Sequence, residues 1–340
     1  MSFTVRRPAV FSGGMIGSGT VYAERQDGGH KAGEAGQGIV DEAVRQDPRG
    51  IGEARRIGGM GGMMHTAESS MSPAAPRRTR IPVLEVFGPT VQGEGMVIGV
   101  KTMFVRTAGC DYSCSWCDSA FTWDGSAKDD IEWLEPETVL EQLRDLSGGE
   151  WPGHVTLSGG NPALLPQLGG LISLLQSGGT VVALETQGSR WQDWFLNVDE
   201  LTLSPKPPSS GMKTDWTALE RIVARLMEAG RTPSLKVVVM EPAGGREAAG
   251  DGKKAEPDEP GSADEDLEFA MEVHSRFPAV PMFLQAGNDR LEEPDAAALR
   301  EHLAARYERL VDSVMADARW RRVRVLPQLH AWLWGNKRGV

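Results

Sequence analysis

All three cysteines of the chain fall within eight residues, Cys110-Asp-Tyr-Ser-Cys114-Ser-Trp-Cys117. Whatever fold forms must therefore present one loop carrying three thiols on one side. A disulfide framework uses an even number of well-spread cysteines, and a tetrahedral zinc site uses four ligands. Three thiolates on one short loop suit a [4Fe-4S] cube, whose usual protein ligands are cysteine thiolates. Three protein ligands leave one iron open to something else. Two plainer readings stay beside this one: three structural cysteines on a turn, or three ligands of a zinc completed by a histidine.

The rest of the chain narrows the class. Its 340 residues can bury one large core or two modest ones, and 40% hydrophobic content fits a globular protein. No apolar run approaches the ~18 residues that span a membrane, and the N-terminus lacks the apolar stretch of a signal peptide. Clustered thiols without a cysteine pair elsewhere point to a reducing, cytoplasmic setting. A net charge of −11 disfavours a nucleic-acid partner held on a broad basic face.

Residues 1–78 stand apart in composition. They are rich in glycine and scattered arginine, as in Arg56-Ile-Gly-Gly-Met-Gly-Gly-Met-Met64, and carry a basic excess within an acidic chain. Such a stretch shows no helical or strand period, so we expect either a disordered extension or a start codon placed too early, with Met60, Met63, Met64 and Met71 as alternative starts. The folded domain is expected over residues 79–340. Strand patterns at 81–87, 102–106, 154–157, 181–184, 201–203, 235–239, 281–284 and 323–326 alternate with helical patterns at 136–143, 164–175, 216–226 and 299–314. This alternation predicts an α/β fold: an open parallel sheet of about six βα units, an incomplete (βα) barrel with its chemistry at the C-terminal strand ends. Residues 242–263, rich in Gly, Glu, Asp, Lys and Pro, read as a flexible insertion.

The cysteine spacing followed by an acidic residue, Asp118, resembles the radical S-adenosylmethionine (SAM) superfamily. Further segments narrow the likeness: Phe87-Gly-Pro-Thr-Val-Gln-Gly-Glu-Gly-Met96, Leu157-Ser-Gly-Gly-Asn-Pro162, Leu184-Glu-Thr-Gln-Gly188, Ser204-Pro-Lys-Pro-Pro-Ser209, Gln285-Ala-Gly-Asn288 and Leu333-Trp-Gly-Asn-Lys-Arg-Gly-Val340. Together with the cysteine loop they look like the 7-carboxy-7-deazaguanine synthase family. The resemblance covers residues 81–340 apart from the acidic insertion.

What the resemblance implies is specific. Cys110, Cys114 and Cys117 would ligate the cube. Trp116, Cys117, Asp118, Gly160, Ser204, Pro205, Lys206, Gln285 and Asn288 would contact SAM, with Lys206 meeting its carboxylate. Asn161 departs from the glutamate usual at the end of the Gly-Gly segment. Ser119 would bind Mg2+, although by itself it also reads as a helix N-cap. The substrate would be 6-carboxy-5,6,7,8-tetrahydropterin. Arg106 would pair with its carboxylate, since a guanidinium fork matches a carboxylate. Glu185 or Glu94 would accept from the pterin edge, and Val91, Gln92, Gly93 and Ser158 would complete the contacts. Tyr112 and Trp116 are candidates to shield the cube, and His330 to support the substrate. The implied reaction is a ring contraction with loss of ammonia, begun by a SAM-derived radical. A flavodoxin-like electron donor and a homodimer are implied with it. Two rivals are another small radical SAM enzyme, such as a glycyl-radical activase, and a non-enzymatic zinc module.

Overall fold

The computed structural model describes residues 79–240 and 263–340. The reading of residues 1–78 falls outside this set, as does that of the insertion except at Ala263. The described residues begin with β1 (Ile81–Val91), which pairs antiparallel with β2 (Lys101–Thr107) on one side and with β3 (Glu132–Leu134) on the other. From β2 onward every pairing is parallel: β4 (His154–Gly159), β5 (Val181–Thr186), β6 (Glu200–Leu203), β7 (Ser234–Val239), β8 (Met282–Ala286) and β9 (Val323–Leu326). The order is β3-β1-β2-β4-β5-β6-β7-β8-β9, and the edge strands β3 and β9 do not meet. The sheet is thus open, as the alternation of patterns predicts.

The helices follow the strands: α1 (Pro136–Leu146), α2 (Leu168–Ser177), α3 (Trp216–Glu228), α4 (Ala263–Arg276), α5 (Ala296–Ala316) and α6 (Leu329–Trp334). Local chemistry sets their starts. Pro136 occupies the first turn of α1, where its missing N–H costs nothing. Asp215 caps α3 by accepting from the Ala218 N–H at 2.9 Å, and Asp295 caps α5 through Ala297 and Ala298. In α3 the residues Leu219, Ile222, Val223 and Leu226 are buried at helical spacing. Each such side chain contributes roughly 1.5–3 kcal/mol on burial.

The sequence places the start of α2 at Leu164, but the helix begins at Leu168. Residues Pro162–Leu164 form a 3-10 turn instead. Pro166 explains the delay, because the residue before a proline is pushed away from the α region. Three elements escape the sequence patterns: β3, which has three residues, α6, which has six, and α4, which follows directly on the acidic segment. The C-terminal ends of β2, β4 to β8 and the start of α6 converge on one cavity, which positions everything below.

Candidate active site

The cavity is about 330 Å³ and is lined by all three cysteines, by the Val91–Glu94 loop, and by residues at successive strand ends. The cysteine loop follows β2 directly. It is held down at Ser115 and Trp116 by contacts that its sequence supplies. The Ser115 N–H donates to the Ser210 carbonyl at 3.0 Å, and the Ser115 hydroxyl donates to the Ser209 carbonyl at 2.9 Å. The Trp116 indole N–H donates to the Ser209 hydroxyl at 3.1 Å, which in turn donates to the buried Asp266 carboxylate at 2.6 Å. Trp116 is therefore oriented from α4, with Lys206 Nζ 5.9 Å from its ring centroid.

Behind the loop lies the Ser158-Gly-Gly-Asn161 segment. A Cβ on Gly159, whose φ is +138°, would overlap the Thr107 backbone, and one on Gly160 would overlap the Gly109 carbonyl. The two glycines thus let β4 press against the root of the cysteine loop. Asn161 is fully buried and does not line the cavity. Its amide donates to Asp111 at 2.8 Å and to Ser189 at 3.0 Å, while its carbonyl accepts from Thr186 at 2.7 Å and from the Ala163 N–H. Asn161 replaces the expected glutamate because it ties the residue after Cys110 to β5. Gln187 reinforces that tie, donating to Asp111 at 2.6 Å and approaching Cys110 Sγ at 3.8 Å.

The three thiols are free and half-buried. Burial pushes all three thiol pKa values up, that of Cys114 to about 11. Thiolates in such a place need cationic partners, which iron provides. The Trp123 indole N–H points at Cys117 Sγ from 3.5 Å. Among the described residues, the group of three metal-ligating side chains within 4.8 Å of one another is Glu94, Asp118 and His330, and it contains no cysteine.

The same cavity carries a set of polar groups. The Arg106 guanidinium donates to Glu85 at 2.8 Å and to the Ser119 hydroxyl at 2.9 Å, and its carbon lies 5.5 Å from the Phe87 and Phe121 ring centroids. Ser119 donates to Asp118 Oδ1 at 3.0 Å and makes no side-chain cap to the 3-10 turn that follows it. The N-cap reading of Ser119 is thereby corrected: its hydroxyl turns to Arg106 and Asp118 instead. Phe87 and Phe104 stack with centroids 4.8 Å apart, and both line the cavity. Glu94 accepts from Gln328 at 2.9 Å, and its carboxylate stands 3.9 Å from His330 Nδ1.

Of the expected site residues, the cavity gathers Val91, Gln92, Gly93, Glu94, Arg106, Cys110, Cys114, Trp116, Cys117, Asp118, Ser119, Ser158, Gly160, Glu185, Lys206, Asn288 and His330. Three stand behind its wall. Ser204 is buried and accepts from Lys206 Nζ at 3.2 Å, so it steers the lysine. Pro205 and Gln285 are buried as well. Tyr112 also borders the cavity, while its hydroxyl donates outward to the Lys213 carbonyl.

Sequence reasoning missed Lys236, whose ammonium lies 2.5 Å from Glu94 and 2.7 Å from Glu185. Its signal was present: a lysine inside the apolar run of a central strand demands partners. It also assigned no role to the tail. Arg338 folds back to pair with Glu85 and stacks on Phe121 at 3.8 Å, and Asn336 accepts from Asn288 at 2.8 Å.

A nest of three thiols at the C-terminal ends of an open parallel sheet defines a radical SAM protein. Residues 104–240 accordingly match the model of the radical SAM superfamily. The chain is 56% identical over 262 residues to the 7-carboxy-7-deazaguanine synthase of Bacillus subtilis, spanning 76% of this chain and 98% of that protein. It is 53% identical over 262 residues to the Bacillus cereus enzyme of the same name, spanning 77% of this chain and all of that one. The crystal structure of QueE from Escherichia coli shares the fold, with a TM-score of 0.50 at 22% identity over 74% of this chain and 95% of that one. The chain belongs to the 7-carboxy-7-deazaguanine synthase family.

Proposed function

We infer that the chain converts 6-carboxy-5,6,7,8-tetrahydropterin to 7-carboxy-7-deazaguanine by ring contraction with loss of ammonia. One observation carries this reading. A single cavity is lined by three thiols and also by a guanidinium and two carboxylates suited to a carboxylated ring with N–H donors.

Cys110, Cys114 and Cys117 would hold a [4Fe-4S] cluster, and Trp116, Asp118, Gly160, Lys206 and Asn288 would hold SAM. Bound together, these cofactors would supply radical chemistry able to remove a hydrogen atom from the substrate. The chain's own residues bind, orient and shield. Arg106, kept in place by Glu85, would take the substrate carboxylate in a fork. Glu94 and Glu185 would accept from the amino-pyrimidinone edge, and Phe87 and Phe104 would give the ring an apolar wall. Ser204 would act through Lys206, and Pro205 and Gln285 through the packing behind it.

Mg2+ would sit against the Ser119 hydroxyl and the substrate carboxylate. The hard oxygens of Asp118 and Glu94 stand close by, and Mg2+ prefers such ligands. A flavodoxin-like donor, a homodimer and a cytoplasmic setting are proposed on the resemblance and on the reducing conditions that free thiols require. No helix among the described residues is long and apolar enough to cross a membrane. The test is anaerobic turnover with SAM, dithionite, Mg2+ and the carboxytetrahydropterin. A product with the mass of 7-carboxy-7-deazaguanine supports the reading, and recovery of unchanged pterin beside cleaved SAM overturns it.

A further inference from the structure

Lys236 is 2% exposed, yet it belongs to a strand whose neighbours Leu235, Val237, Val238 and Val239 are apolar and buried. An ammonium in such surroundings is costly unless it is paired. Here it is paired twice, with Glu94 Oε2 and with Glu185 Oε1, residues carried by two different elements far apart in the sequence. Through this shared partner the two carboxylate oxygens are held no more than about 5 Å apart. Two carboxylates that close would not both stay ionised on their own, because one would take up a proton. Both line the cavity, and Glu94 directs its other oxygen to Gln328.

We propose that Lys236 is a specificity-determining positioning residue: it locks Glu94 and Glu185 together as an anionic acceptor pair that selects a ring edge carrying adjacent N–H donors. The proposal rests on the pterin reading above and adds to it what sets the choice of ring. A protonated carboxyl would present a donor where the ligand also presents donors, so losing the ammonium inverts the match on one side. The remaining titratable groups facing the triad are His330 from α6, 3.9 Å from Glu94, and Asp118 from the cysteine loop. Burial would raise the Glu94 carboxyl, but Lys236 and then His330 outweigh it and hold the group well below the usual range. Burial likewise pulls the Lys236 ammonium down, and Glu185 and Glu94 more than restore it. The ammonium and the two carboxylates thus support one another's charges.

The experiment uses the cluster-loaded enzyme and measures equilibrium binding of two ligands: the carboxytetrahydropterin, and its analogue lacking the 2-amino group. In the wild type the analogue binds more weakly than the substrate. In Lys236→Met the substrate binds about tenfold or more weakly, the worth of one charge-assisted hydrogen bond. The preference over the analogue shrinks as well. Iron content and SAM affinity report whether this variant is folded. If it does not load the cluster, Glu94→Gln/Lys236→Met removes the ammonium together with one anion. That variant should lose the same preference. Wild-type affinity and wild-type preference in the folded variant would overturn the proposal. A wild type that neither binds nor converts the pterin would instead overturn the functional reading beneath it.

Discussion

Ser119→Ala separates a structural hydroxyl from a working one. The Ser119 hydroxyl makes two side-chain hydrogen bonds, one to Asp118 and one from Arg106, and caps no helix. The ~1 kcal/mol that a lost N-cap costs is therefore not at stake. What disappears are two charge-assisted hydrogen bonds, each worth roughly 1.5–3 kcal/mol where buried, though Asp118 is exposed and water can replace that partner. Arg106 retains its 2.8 Å pair with Glu85 and faces an open cavity where water can replace the hydroxyl. The net cost should fall below about 1 kcal/mol, a shift in Tm of no more than ~4 °C. Product formation should suffer far more. Without the hydroxyl, Mg2+ and the substrate carboxylate lose a common anchor, and a misplacement of ~1 Å costs about a hundredfold in rate. That corresponds to about 2.7 kcal/mol of barrier. Ser119→Thr keeps the oxygen and should keep the activity. The assay is product rate against Mg2+ concentration for the three proteins, with iron content and Tm measured alongside. An alanine variant with the wild-type rate and the wild-type metal response would refute the argument.

Other substitutions read other parts of the site. Trp123→Phe removes the N–H that points at Cys117 Sγ while keeping the ring, so the cluster potential should become more negative at unchanged iron content; potentiometric EPR titration would show this, and an unshifted midpoint would count against it. Asn161→Glu brings a second carboxylate against Asp111, now 2.8 Å from the Asn161 amide, and should lower both Tm and iron loading despite restoring the superfamily's usual residue. Full loading in that variant would mean that the Asn161 tie does not matter. Gly159→Ala forces a side chain into the Thr107 backbone at φ +138° and should lower thermal stability by at least ~1 kcal/mol, read from denaturant melts.

The sequence told most about elements whose logic is local. The cysteine loop, the Gly-Gly turn and the apolar strand runs each announce themselves in a few consecutive residues, and the open parallel sheet follows from their alternation. Arg106, Glu94 and Glu185 were legible as candidates because they stand beside those motifs. What stayed hidden depends on contacts between distant residues. Lys236 is paired with groups 142 residues away in Glu94 and at the end of β5, and only the fold brings them together. Asn161 reads in the sequence only as a departure from a usual glutamate, yet it serves as a tie between β4, β5 and the cysteine loop, which no reading of its own segment reveals. Ser204 and Gln285 sit in motifs beside true cavity residues, but strand pleating turns them into the wall. Helix α6 is too short for a periodic signal, and its site residue His330 is placed by packing on Gly93, where any side chain would collide with it.

Everything above rests on three thiols holding a four-iron cluster with one iron open to SAM. The most direct test is metal and sulfide analysis of the anaerobically reconstituted protein, with EPR of its reduced form recorded before and after adding SAM. The account predicts about four irons and four sulfides per chain, a reduced-cluster signal that changes when SAM binds, and the loss of both in Cys114→Ala. One tightly bound zinc per chain with no sulfide, or a cluster signal indifferent to SAM, would contradict it.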